Sequence, residues 1–212
     1  MKKFLALFAV LVLATATAAN HKVDASPVLK FGSEGQNIPD LQFRLQTTGY
    51  YNLPIDKNFG KGTRNAVQRF QKNNGLQSDG VVGPKTWAKL KKLSVNKKEL
   101  SMLARVIYAE ARGEDYKGQV AVGAVVMNRL QSSKFPKTVK EVIMEPNAFS
   151  AVKDGQYWLI PNQTAFKAAK AAVKGMDPTG NALFYFNPVI SKSTWFKTRT
   201  ATKKIGNHQF TL

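Results

Sequence analysis

The sequence predicts a mainly α-helical protein of two domains: a small three-helix bundle, then an α+β domain in which helices surround a short β-sheet. Three observations carry the prediction. A short internal repeat sets off an N-terminal segment. Apolar residues recur at helical spacing in most of the chain. Two strand-like segments, Ala182 to Asn187 (ALFYFN) and Ile205 to Leu212 (IGNHQFTL), stand near the C-terminus, separated by a polar stretch holding Trp195.

Residues 1–19 read as an export signal: Lys2 and Lys3, the apolar run Phe4 to Leu13, then small residues through Ala19. The run is too short to span a bilayer, so cleavage after Ala18 or Ala19 and a soluble exported product are expected. Ile38, Leu41 and Leu45 form a helical stripe that ends at Gly49. The repeat follows. Asp56, Phe59, Gly60, Thr63 and Val67 recur at a constant offset of 23 as Asp79, Val82, Gly83, Thr86 and Leu90. Each copy reads as a turn built by the Asp and Gly, a helix-initiating Thr, and an apolar residue one turn on. The first copy continues through Phe70 to Gly75, and the second carries Trp87 and Leu90. Three helices with one apolar face each can bury one another over residues 29–90. Residues 91–98 (KKLSVNKK) are basic, polar and aperiodic, and read as a linker to a second domain over 99–212.

In that second domain Leu100, Leu103, Val106, Ile107 and Glu110 fall on one stripe, within roughly 60° of Leu103 on a helix. Ser101, Arg105 and Arg112 lie opposite, and Gly113 marks the helix end. A carboxylate on a buried stripe is costly to hold ionised, which suits a general acid; pairing with an arginine or capping of a neighbouring helix is the alternative. Gln119 to Leu130 (QVAVGAVVMNRL) is apolar almost all round, as in a helix buried on several sides, with Ala121, Gly123 and Ala124 admitting a close partner. Asn128, on the side of Ala121 and Val125, must find partners there, either orienting the acid or holding a loop. Pro146 to Ser150 (PNAFS) reads as a loop with an aromatic at its tip. Thr164 to Lys174 reads as an alanine-rich helix stopped by Gly175.

The formal charge is +19, from 32 basic and 13 acidic residues, and +17 once Lys2 and Lys3 leave with the signal. Nucleic acid and an anionic matrix both concentrate such a polycation; export favours the matrix. The absence of cysteine excludes disulfides, thiolate nucleophiles and cysteine metal sites. The two histidines, His21 and His208, are too few for a zinc centre, and no nucleophile elbow supports a serine triad. No metal or other cofactor is expected, and bond cleavage would rest on carboxylates.

Leu29 to Leu90 resembles the peptidoglycan-binding domain of bacterial wall enzymes, through LQFRLQTTGYYNLPID, FGKGTRNAVQRFQKNNGL and DGVVGPKTWAKL. Lys57 departs from that pattern by standing where a glycine usually follows the first Asp. Leu100 to Leu212 resembles the catalytic domain of spore cortex-lytic enzymes and related cell-wall hydrolases, through LARVIYAEARGE, GQVAVGAVVMNRL, FPKTVKEVI, NAFSAVKDGQ, DPTGNALFYFNP and IGNHQF. The resemblance implies a fold similar to lysozyme and the lytic transglycosylases, and puts the family's catalytic glutamate on Glu110. It further implies cleavage between N-acetylmuramic acid and N-acetylglucosamine in spore cortex during germination, with the muramyl 6-hydroxyl closing a 1,6-anhydro ring. Hydrolysis would need a second carboxylate; the domain offers Glu114, Asp115, Glu141, Glu145, Asp154 and Asp177, of which Glu114 and then Asp154 are singled out, and none forms an obvious pair with Glu110.

A glycan cleft wants aromatic platforms beside hydrogen-bonding groups. Phe149, Tyr157, Tyr185, Phe186 and Trp195 are candidates for the first, and Ser150, Asn187 and His208 for the second. The two strands could bring Tyr185 and His208 to one side. The expected partner is peptidoglycan rather than nucleic acid, the expected state a monomer, and the expected location the cell wall or spore cortex; no membrane or regulatory protein partner is identified. Two other readings stay open: a non-catalytic protein binding the wall or spore, and an amidase acting on the same polymer.

Overall fold

The computed structural model describes residues 26–191 and 194–212, so the expected export signal lies outside the described residues. The elements run α1 (Asn37–Thr47), α2 (Lys61–Asn73), α3 (Pro84–Leu93), α4 (Lys97–Ala111), α5 (Tyr116–Gln131), α6 (Val139–Met144), α7 (Ser150–Lys153) and α8 (Gln163–Val173). Strands β1 (Phe184–Phe186), β2 (Ala201–Ile205) and β3 (His208–Thr211) form an antiparallel sheet in the order β1-β3-β2. The protein is mainly helical with one small sheet, as its sequence predicts.

Two apolar clusters dominate. In the first, Ile38, Leu41 and Leu45 of α1 meet Phe59, Val67, Phe70, Val82, Trp87 and Leu90, so the stripe and both copies of the repeat share one core. A polar device recurs beside it. Gln42, wholly buried, donates from Nε2 to Asp56 Oδ1 (2.6 Å), Asn58 O (3.0 Å) and Thr63 Oγ1 (3.0 Å). Gln71 repeats this with Asp79 Oδ1 (2.9 Å), Val81 O (2.9 Å) and Thr86 Oγ1 (3.2 Å). The threonines are therefore not helix caps, as the repeat suggested. Gly60 and Gly83 occupy the N-cap positions, and each threonine sits one turn in, where its hydroxyl closes the glutamine network. Lys57 takes φ 65°, close to the 75° of Gly80 in the second copy, so the turn keeps its shape. A non-glycine residue in this left-handed region costs about 1 kcal/mol.

The expected linker is mostly helical. α3 continues to Leu93 and α4 starts at Lys97, leaving Ser94 to Asn96 between them. Asn96 and Glu99 form a reciprocal capping box, with Glu99 N donating to Asn96 Oδ1 (2.8 Å) and Asn96 N to Glu99 Oε2 (2.7 Å). Arg44 of α1, 3% exposed, donates to Ser94 O (3.3 Å) and pairs with Glu99 Oε2 at 3.0 Å. The first turn of α4 is thus tied to the N-terminal bundle.

The second core packs α4, α5 and α8 together. α5 is buried nearly all round, and Gly123 lies where it meets both partners. A Cβ there would stand 2.9 Å from Ile107 Cδ1 and 3.0 Å from Ala172 Cβ. Gly123→Val should therefore overpack the three-helix contact and cost roughly 1–3 kcal/mol; an unchanged urea midpoint would show that the helices can separate freely. Asn128 takes the loop-holding role: its Nδ2 donates to Asp177 Oδ2 (3.0 Å) and Ala182 O (3.1 Å), fixing the segment that leads into β1. β2 is a strand that sequence periodicity does not mark. It forms an edge whose Lys203 and Lys204 are exposed, a common way of protecting an open sheet edge.

Candidate active site

The last turn of α4, the loop leading into α7, and the β1 and β3 strands converge on a cleft of about 1130 Å³. Glu110, next to last in α4, projects from the edge of the helix's buried stripe and is half-buried. This corrects the expectation of an acid seated among apolar neighbours. The carboxylate is met by donors from two other segments. Ala151 N donates to Oε1 at 2.8 Å, Ser150 Oγ lies 3.2 Å from Oε1, and Tyr185 OH donates to Oε2 at 3.0 Å. Among the described residues Glu110 enters no ion pair, so the alternative of an arginine-locked carboxylate does not hold.

Each donor has a structural cause. Ser150 and Ala151 open α7, whose first N–H groups have no intrahelical acceptor. Tyr185 is the central residue of β1, paired with Phe210. Its phenol pKa is raised well above the ordinary value, first by burial and then by the adjacent Glu110 charge, so it remains a donor.

The antiparallel pairing also brings His208 into the cleft. Its ring stands edge-on to Tyr185, centroids 5.0 Å apart, and its Nδ1 lies 3.9 Å from Glu114 Oε1. Burial lowers the imidazole pKa, against the opposing effect of the Glu114 and Glu110 charges. Glu114 lines the cleft but is engaged by the turn between β2 and β3, where Asn207 donates from its backbone N (3.2 Å to Oε2) and from Nδ2 (3.0 Å to Oε1). Gly206 makes this possible, since it takes φ 55° and any Cβ there would collide with Glu114 Oε2.

The other expected residues divide. Asn187, Phe186 and Trp195 line the cleft, with Trp195 47% exposed at its rim and edge-on to Phe184. Phe149 also borders it but is only 3% exposed, because the Arg129 guanidinium covers its ring at 4.9 Å. It is floor rather than loop tip. Tyr157 is corrected: at 2% exposure it belongs to the helical core, stacked edge-on against Trp158 and away from the cleft. Asp154 bonds Gln156 and likewise does not line the cleft. Glu145, one of the possible partner carboxylates, does line it, and sequence reasoning missed Arg129, Phe135 and Ile190, which do as well. Of these only Arg129 left a trace, as the single charge in the apolar run of α5.

Residues 113–211 match the family model for cell wall hydrolases, and residues 34–90 that for a peptidoglycan binding domain. Spore cortex-lytic enzymes are similar over most of their length: that of Bacillus cereus is 39% identical, with 94% of this chain and 92% of that protein covered. That of Oceanobacillus iheyensis is 38% identical, with 86% of each covered. Among solved structures, the catalytic domain of the germination-specific lytic transglycosylase SleB from Bacillus anthracis is 53% identical with a TM-score of 0.54, covering 56% of this chain and 97% of that one.

Proposed function

The chain belongs to the spore cortex-lytic enzyme family, and from that premise we propose that Glu110 is the one group that first protonates and then deprotonates the glycan. The protein is a peptidoglycan-degrading enzyme of germination, associated with the cell wall or cortex. In the proposed reaction the Glu110 carboxyl gives its proton to the oxygen joining N-acetylmuramic acid to N-acetylglucosamine, and the bond to the muramyl carbon breaks through an oxocarbenium-like state. The carboxylate left behind takes the proton of the muramyl 6-hydroxyl as that oxygen attacks, which closes a 1,6-anhydro ring and restores the acid.

The observation that carries this reading is the cradle of Glu110. Both its oxygens are held only by hydrogen-bond donors, two of them hydroxyls that can reorient as the group changes protonation. Glu114, the carboxylate of the cleft nearest to His208, is engaged by Asn207. That carboxylate is therefore not free to hold an attacking water as an inverting or retaining hydrolase requires.

Residues 29–90 are assigned to wall binding and 99–212 to catalysis, in an exported monomer that does not act on nucleic acid. Mass spectrometry of fragments released from purified cortex tests the reading. Muropeptides with anhydro ends are expected; reducing ends would indicate hydrolysis, and freed peptides on intact glycan an amidase.

A further inference from the structure

Arg129 is a buried charge that the proposed reaction does not use directly. It lies in the last turn of α5, 5% exposed, with its guanidinium 5.2 Å from the Phe135 ring, 4.9 Å from Phe149 and 5.4 Å from Phe184. Its Nε donates to Leu183 O at 2.7 Å. Burying a guanidinium is expensive, and packing alone would be served as well or better by an apolar side chain of similar size. The charge therefore needs a use.

The segments it joins suggest one. Phe149 immediately precedes Ser150 and Ala151, and Leu183 lies two residues before Tyr185; these three residues supply the donors to Glu110. One planar cation thus grips both segments that cradle the carboxylate, by its face on one side and by its edge on the other. A lysine, a point charge on a flexible stem, cannot do both at once. We propose that Arg129 is the positioning residue of the active site: it sets the geometry of the Glu110 cradle. This rests on the assignment of Glu110 above.

The titratable groups around this charge are Glu110 from α4, Glu145 after α6, Tyr185 from β1, and His208 with Glu114 on the far side of Tyr185. Burial lowers the Arg129 pKa, and the charges of Tyr185, Glu145 and Glu110 oppose that shift.

The test uses the full chain on soluble peptidoglycan strands of defined length, with kcat and KM measured separately for Arg129→Met and Arg129→Lys. Arg129→Met is expected to lose about 10²-fold in kcat, the scale of a misplaced catalytic group. Its KM should change little. Arg129→Lys, which keeps the charge but not the planar fork, should lose kcat as well. If Arg129→Met does not fold, Arg129→Lys and Phe149→Leu are read instead; both should lose kcat with KM little changed. Wild-type kcat in these variants, or a loss carried by KM with kcat kept, would overturn the proposal. Glu110→Gln runs alongside. Turnover retained in that variant would reject the Glu110 assignment itself, whereas an inactive Glu110→Gln beside a fully active Arg129→Met rejects only the role of Arg129.

Discussion

Glu110→Gln is expected to lower release of soluble fragments from peptidoglycan by about 10³-fold or more, since general acid and base steps each contribute on the order of 10²–10⁴. The substitution is nearly isosteric. A glutamine Oε1 can still accept from Ala151 N or Tyr185 OH, so the cradle and the fold should survive. What it lacks is a proton to give to the leaving oxygen and a charge to take one back. Co-sedimentation with insoluble wall should therefore match the unaltered protein, because the N-terminal bundle is untouched. Binding lost together with lysis would indicate that the variant had misfolded; lysis kept would mean that another group breaks the bond.

The second large effect concerns the junction of the two cores. Arg44 is 3% exposed and faces Asp40 (3.2 Å), Glu99 (3.0 Å) and the Ser94 carbonyl (3.3 Å). Replacing it with Met leaves a poorly solvated Glu99 without its partner. Breaking a buried pair costs about 3–5 kcal/mol, which falls to about 2–3 kcal/mol here because both carboxylates keep some contact with water. In calorimetry the chain should melt as one unit before the change and in two steps after it, the bundle and the larger domain having lost their common charge cluster. A variant that still melts in a single transition at the original temperature would show that the contact does not couple them.

Much of this architecture is legible in the chain. The stripe of α1, the two repeat copies and the buried faces of α4, α5 and α8 can be read because apolar spacing of 3.6 residues is local information. The capping box at Asn96 and Glu99 is also spelled out in sequence, although the basic residues around it suggest a linker instead. β2 is hidden because an edge strand carries its polar residues outward on both sides of any alternation. The site is only half legible. Glu110, Tyr185 and His208 belong to recognisable segments, but the partners of Glu110 include the N–H of Ala151, and a backbone donor leaves no mark in a sequence. Tyr157 is misjudged because whether an aromatic side chain faces a groove or a core depends on residues distant in the chain, here the packing of α4 and α7.

α4 begins at the ion pair with the N-terminal bundle and ends at the Glu110 cleft. With a rise of 1.5 Å per residue, Glu99 and Glu110 stand about 16 Å apart along a single stiff rod. The charge cluster that joins the two cores and the carboxylate of the cleft are therefore held at a constant interval by one helix, a fixed strut between the halves of the molecule.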